Sequence, residues 1–166
     1  MLNLISFLER LKPGKNAIRS LYVERVNVSH TILFKFCKSI SNFAGIIEIS
    51  LSGNHLPYFC IDALMNAKTL PQGLRLSDTR MDDLSAFGLV SRIIKQGNCN
   101  GEGIRQLDLS RNPLLSYPFY TKLAEVIQQN SPCSLEAIDL HFCTISEQCI
   151  NKIGKLLSQK SNELNN

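Results

Sequence analysis

An eleven-residue pattern that recurs five times constrains this 166-residue chain more than any other feature. The pattern has aliphatic residues at positions 1, 4, 6 and 11 and a polar slot at position 9. Its copies begin at residues 18, 46, 71, 104 and 135, so they are 28, 25, 33 and 31 residues apart. A period of roughly 20–50 residues is typical of proteins in which each repeat packs against its neighbours. The sequence therefore predicts one domain built as a stack of repeats.

The first half of each copy predicts a short strand, because apolar and polar residues alternate and one face is buried. The clearest copy runs from Ile104 to Leu114, with Leu107, Leu109 and Asn112 in the slots between. An amide in the polar slot suits a buried group that bonds the backbone as the chain leaves the strand. Val26 in the first copy cannot make such hydrogen bonds, which a repeat at the end of a stack tolerates. The polar slots are filled, in chain order, by Val26, Asn54, Thr79, Asn112 and Cys143.

Amphipathic segments follow the strands and predict helices, because their apolar residues are spaced three or four apart. The pair Asp82–Asp83 predicts a helix start with early negative charge. Two such apolar stripes are Ile32, Leu33, Phe36, Cys37 and Ile40, and then Leu84, Phe87, Val90, Ile93 and Ile94.

These features resemble the leucine-rich repeat family, and the period near 29 residues is similar to that of its ribonuclease-inhibitor-like subclass. The resemblance covers residues 17–160 as five repeats. It implies an α/β fold, a leucine-rich repeat solenoid shaped as a short horseshoe with parallel concave strands and convex helices. Residues 1–16 are expected to form an N-terminal capping helix, and residues 161–166 a polar tail. In this family the concave face commonly binds proteins, so the resemblance implies a non-enzymatic protein–protein interaction module, expected to be a monomer.

Charge and composition disfavour several other classes of protein. The 18 Lys and Arg against 14 Asp and Glu give a net charge of +4, too small and scattered to indicate nucleic-acid binding. No apolar run approaches the roughly 20 residues that span a bilayer, and the N-terminus lacks a secretory signal pattern. The six cysteines show no CxxC spacing, so we expect reduced thiols and no metal or cofactor. The pattern favours a cytoplasmic protein.

Asp139, His141 and Cys143 combine an acid, an imidazole and a thiol, which raises the alternative of a cysteine enzyme. The strand alternation directs Asp139 and His141 outward but places Cys143 in the inward slot. We therefore expect no catalysis at this cluster. His30 and His55 have no carboxylate at a fixed offset and are interpreted as surface histidines.

The outward face of the strands remains as the candidate functional surface. With the residues just beyond each strand, it carries five acidic residues and three arginines, a net charge of −2, which disfavours nucleic acid. We predict that Tyr22, Ser50, Arg75, Asp108 and Asp139 form one row, in which Arg75 relieves the charge of Asp108. The predicted partner-binding residues are Tyr22, Glu24, Glu48, Arg75, Asp108, Arg111, Asp139, His141 and Phe142.

Two hypotheses on the biological role stay open. Such repeats occur in NOD-like receptors, in tropomodulin-like actin regulators and in effectors that intracellular bacteria inject. The richness in Asn, Ile, Ser and Lys suits an AT-rich genome, so one hypothesis is a bacterial effector secreted into a host cytoplasm without a Sec signal peptide. The alternative is a substrate-recognition or targeting subunit of an enzyme complex such as a ubiquitin ligase, which needs a docking motif outside the repeats.

Overall fold

The structure is a computed structural model that describes residues 5–6, 18–41, 46–67, 70–97, 103–129, 135–151 and 153–155. Within these residues, five strands form one parallel sheet in sequence order, and the predicted α/β fold with five parallel strands is confirmed. Further helical residues lie at 5–6, 147–151 and 153–155. The elements are β1 (Ser20–Tyr22), α1 (His30–Ile40), β2 (Glu48–Ser50), α2 (Tyr58–Met65), β3 (Gly73–Arg75), α3 (Asp83–Gly97), β4 (Gln106–Asp108), α4 (Tyr117–Gln129) and β5 (Ala137–Asp139).

The strands pair at equivalent repeat positions, so the predicted apolar slots line up across the sheet. Leu21, Ile49, Leu74, Leu107 and Ile138 are register partners in successive strands. The three central residues are buried in a core shared with the inner faces of the helices. The two outer ones are only partly buried, because each has a neighbouring strand on one side.

The asparagines in the polar slots each join their repeat to the one before it. Asn112 Nδ2 donates to Leu109 O in its own turn and to Leu76 O in the preceding repeat, both at 2.9 Å. Its Oδ1 accepts from the backbone N–H groups of Thr79 at 3.1 Å and Met81 at 2.9 Å. One buried side chain therefore satisfies backbone groups of two repeats.

Asn54 makes the same connection between the first two repeats. Its Nδ2 donates to Val23 O at 2.7 Å and to Leu51 O at 2.8 Å, and its Oδ1 accepts from Val26 N at 2.9 Å. The first repeat thus obtains its hydrogen bonds from the asparagine of the second repeat, which is why valine is tolerated in its polar slot.

The residue before each polar slot has a left-handed backbone. The five residues share φ values between 51° and 72°, although only one is a glycine, the residue type that adopts this region without strain. The turn therefore imposes the conformation whatever the side chain. The residues are Arg25, Gly53, Asp78, Arg111 and Phe142.

Gly53→Ala is expected to lower the free energy of unfolding by about 1–2 kcal/mol. A Cβ at φ +72° would lie 2.4 Å from Arg25 Cγ, so a clash adds to the backbone strain. The loss should shrink when Arg25→Ala is also present. Gly154→Ala is the control, because nothing lies within 4 Å of the added Cβ and its position is helical. Urea melts that give equal losses for both glycine variants would contradict this explanation.

Two leucines differ from the predicted pattern. Leu114 was expected in the last apolar slot but is 57% exposed, and Leu115 is buried instead. Leu115 N donates to Asn112 O at 3.2 Å, and this tight turn directs Leu115 inward. Leu84 is 73% exposed, because the buried face of α3 begins one residue later, at Ser85 and Ala86.

The predicted start of α3 at Asp82–Asp83 agrees with the helix boundary. Asp82 Oδ1 accepts from Ser85 N at 2.9 Å, and hydrogen bonds from the Ser85 hydroxyl and then its N–H hold the pKa of Asp82 below its ordinary value. The Asp83 carboxylate accepts from the N–H and hydroxyl of Ser116, just before α4. Asp82 therefore caps α3, and Asp83 connects the first turn of α3 to the start of α4.

Asp82→Ala is expected to cost about 1 kcal/mol at neutral pH, as for other helix caps. The folded pKa lies below the unfolded value, so this stability is present above the unfolded pKa and is lost as the pH falls through the folded pKa. The difference between wild type and variant should therefore become smaller in acid. Asp82→Asn should keep most of the stability, because asparagine caps equally well. A loss that stays constant across an acid series of melts would contradict the assignment.

The predicted terminal segments lie mostly outside the described residues. Of residues 1–16, residues 5 and 6 are helical and Ile5 is buried in the core. The rest of the predicted capping helix and the polar tail at 161–166 lie outside the described residues, and both stay predictions. Among the described helices, none is long and apolar enough to cross a membrane.

Candidate functional site

The open sheet face, the face opposite the helices, carries the predicted row of side chains. Strand pairing aligns Tyr22, Ser50, Arg75, Asp108 and Asp139 across the five strands. A second row, aligned two residues earlier, consists of Ser20, Glu48, Gly73, Gln106 and Ala137.

Glu48 organises the half of this face near β1. Its Oε1 lies 2.6 Å from Arg75 Nη2, and its Oε2 accepts a hydrogen bond from the Tyr22 hydroxyl, which raises the pKa of Tyr22. Arg75 therefore forms its ion pair with Glu48, although Asp108 is its register partner on β4. The longer side chain of Glu48 reaches Arg75 from the neighbouring strand.

Ser50 and Glu24 form a contact within this face. Ser50 was expected to be accessible but is fully buried. Its hydroxyl donates to the Glu24 carboxylate, which reaches over from the turn after β1. Glu24 therefore covers Ser50, and the accessible groups of the row are the other four.

Asp108 and Asp139 are register partners on β4 and β5, so their carboxylates are adjacent. Asp108 Oδ1 accepts from Ser110 N and Asp139 Oδ1 accepts from His141 N, each at 2.9 Å. Asp139 Oδ1 also lies 2.7 Å from His141 Nδ1. The backbone hydrogen bond first, and then the imidazole, hold the pKa of Asp139 below its ordinary value. Neither carboxylate has an arginine or lysine within salt-bridge distance among the described residues.

A shallow pocket of about 290 Å³ lies between these groups. Glu48, Arg75, Asp108 and Asp139 border it, and the small residue Gly73 helps to leave the space open. Three carboxylates against one guanidinium leave the pocket with a net negative charge. Such an arrangement can bind a cationic group such as a lysine or arginine side chain.

Arg111 and Phe142 form an exposed pair beyond the ends of β4 and β5. The Arg111 guanidinium carbon lies 4.9 Å from the centroid of the Phe142 ring, a cation–π contact. The Phe142 side chain is 77% exposed. Because both residues have the left-handed turn conformation, the turn holds the ring at the edge of the open sheet face.

Cys143 does not have the environment of a nucleophile. Its thiol donates to Leu109 O at 3.2 Å, and burial raises the pKa of the thiol. The His141 imidazole bonds to Asp139. A cysteine nucleophile needs a lowered pKa and a base within reach. In the part of the chain that the structure describes, no cluster of three metal-ligating side chains occurs.

A second polar pocket, of about 450 Å³, lies outside the predicted set of residues. It includes His30 and His55, whose rings meet edge to face with centroids 4.7 Å apart. These histidines look isolated in the sequence, because only the stacking of one repeat on the next brings them together. No sequence motif could have revealed this pair.

The fold is similar to that of a solved structure, the tropomodulin C-terminal domain of Caenorhabditis elegans. The similarity covers 99% of this chain and 95% of that chain, with a TM-score of 0.71 and 12% sequence identity. At this identity the likeness shows a shared leucine-rich-repeat-like fold and says nothing further about function. No protein-family model matches the chain, and neither does a curated protein.

Proposed function

We propose that this chain is a non-enzymatic leucine-rich repeat solenoid of the ribonuclease-inhibitor-like kind that binds a protein partner through the open sheet face. In this proposal the open sheet face is the concave side of a short horseshoe. The observation that carries the proposal is the adjacent pair Asp108 and Asp139, which border a pocket and have no cationic partner of their own among the described lysines and arginines.

The chemistry of this face favours a partner segment with a basic side chain. Like charges on adjacent strands are unfavourable, and a lysine or arginine between Asp108 and Asp139 would remove that repulsion. Tyr22 and Phe142 supply exposed aromatic rings at the two ends of the face. Aromatic side chains are typical anchors at protein interfaces. With strands about 4.8 Å apart, β1 and β5 are separated by roughly 19 Å, enough for an extended segment of about six residues.

A pull-down with matched variants tests this proposal. Three baits would be used: the wild-type chain, Asp108→Asn/Asp139→Asn and Glu125→Gln/Glu147→Gln. Both doubles remove two carboxylates, but Glu125 lies on α4 and Glu147 among the helical residues 147–151. We expect a partner that the wild type and the helix-side variant retain and the open-face variant loses. A partner set that is the same for all three baits would contradict the proposal.

The identity of the retained protein separates the proposed roles. Components of an enzyme complex would favour a targeting subunit. Host proteins recovered by the chain would favour an effector that acts in a host cytoplasm. The proposed monomer would be checked by light scattering on the same samples.

A further inference from the structure

A basic pocket lies where the first three strands end and their turns begin. It has a volume of about 450 Å³, within the roughly 300–1,000 Å³ of typical small-molecule sites. Two guanidinium groups and two imidazoles line it, against one carboxylate. These lining residues are Arg25, His30, His55, Asp78 and Arg80.

The two arginines of this basic pocket are available for a ligand. Neither Arg25 nor Arg80 forms a salt bridge with a described carboxylate. By contrast, Arg75, Arg92 and Arg105 are each paired.

Gly53 and the turn geometry fix the position of Arg25. The Arg25 side chain passes so close to Gly53 that an added Cβ would lie 2.4 Å from its Cγ. Arg25 and Arg80 both have the left-handed backbone conformation, with φ values of 51° and 56°. The turns therefore hold both arginines at the carboxyl ends of the strands.

The two histidines add ring N–H donors to the basic pocket. Their ring centroids are 4.7 Å apart, so both rings lie at the same side of the pocket. Helix α1 begins at His30 and has no acidic residue in its first turn. Asp78 is therefore the carboxylate that opposes an anion here.

We propose that the basic pocket binds a tetrahedral oxyanion of the phosphate type. The planar fork of arginine matches phosphate oxygens and forms paired, charge-assisted hydrogen bonds with them. Each imidazole supplies a further N–H donor. The phosphate is either free in solution or part of a phosphorylated side chain of a partner. This site lies at the carboxyl ends of β1, β2 and β3 and not on the open sheet face. The proposal is therefore independent of binding at the open sheet face.

Two-dimensional NMR of the full ¹⁵N-labelled chain tests the proposal. Three probes would be titrated separately into the labelled chain at constant ionic strength: inorganic phosphate, a phosphoserine tetrapeptide and the same peptide without phosphate. We expect saturable shifts of the Gly53, His30 and His55 signals with the two phosphate probes and none with the unphosphorylated peptide. Tighter binding of the phosphopeptide would assign the pocket to a partner-borne phosphoryl group, and equal or tighter binding of inorganic phosphate to the free anion.

Three variants distinguish this site from general charge attraction. Arg25→Ala/Arg80→Ala should weaken phosphate binding at least about tenfold, whereas Arg19→Ala/Arg105→Ala, at the opposite edge of the strands, should leave it unchanged. Asp78→Asn should strengthen binding several-fold, because it removes the opposing carboxylate and asparagine tolerates the φ of 55°. A gain of affinity cannot come from misfolding. Absence of saturable shifts, equal weakening in both arginine doubles, or no gain from Asp78→Asn would overturn the proposal.

Discussion

Asn112→Ala is expected to lower the free energy of unfolding by about 3 kcal/mol. The change removes the partner of two buried N–H groups, those of Thr79 and Met81. It also removes one donor from Leu76 O and one from Leu109 O, which keep the Thr79 hydroxyl and the Cys143 thiol. Each buried backbone group that loses its partner costs about 1–3 kcal/mol, and water entering the space that the amide leaves offsets part of the sum. Urea unfolding followed by circular dichroism measures the loss.

Asn27→Ala provides the matched control for Asn112→Ala. Asn27 is an exposed asparagine directly after the polar slot of the first repeat, so its loss should change stability by less than about 0.5 kcal/mol. If Asn112→Ala cost no more than Asn27→Ala, the polar slot would not hold adjacent repeats together.

Leu107→Ala is expected to lower the free energy of unfolding by about 3 kcal/mol as well. Leu107 is 1% exposed and has register partners on both sides, Leu74 and Ile138. A leucine truncated in such a position loses its own burial and leaves a cavity, which together cost about 2–5 kcal/mol.

Leu21→Ala is the matched control for Leu107→Ala, because Leu21 fills the same slot in β1 with only one neighbouring strand. It is partly buried, and we expect roughly half the loss in denaturant melts. In a stack where each repeat contacts only its neighbours, a change in an outer repeat weakens one interface and a central change weakens two. Equal losses at both positions would show that the first repeat is buried as deeply as the centre.

The sequence predicts the strand register because the repeat carries that information directly. Leucines recurring at fixed positions leave one way to align the strands that buries them all. The same alignment places Tyr22, Arg75, Asp108 and Asp139 in one row of the open sheet face. The inward position of Asn112 follows too, since its amide has to satisfy the turn.

Other features depend on three-dimensional detail that the pattern does not contain. Whether Arg75 pairs with Glu48 or with Asp108 depends on side-chain length and rotamer, which the repeat spacing does not determine. Leu115 is buried in place of Leu114 because of one backbone hydrogen bond in a tight turn. The left-handed turns are visible in the sequence only at Gly53.

The basic pocket could not be predicted for a different reason. Its residues come from three successive turns, and the repeat spacing varies between 25 and 33 residues. The contact between His30 and His55 depends on how the turns stack, because neither histidine belongs to the repeated pattern.

Calorimetric titration with the partner that the wild-type chain retains tests the central claim most directly. The claim is that Asp108 and Asp139 bind a basic group of that partner. We expect Asp108→Asn/Asp139→Asn to bind at least about tenfold more weakly than the wild type at low salt. High salt should narrow this difference, because it screens the attraction. The variant should change the melting temperature little, because it removes a repulsion between adjacent strands and also the charge of Asp139 that His141 stabilises. Unchanged affinity together with a lower melting temperature would contradict the claim, since the two carboxylates would then support the fold and the partner would bind elsewhere.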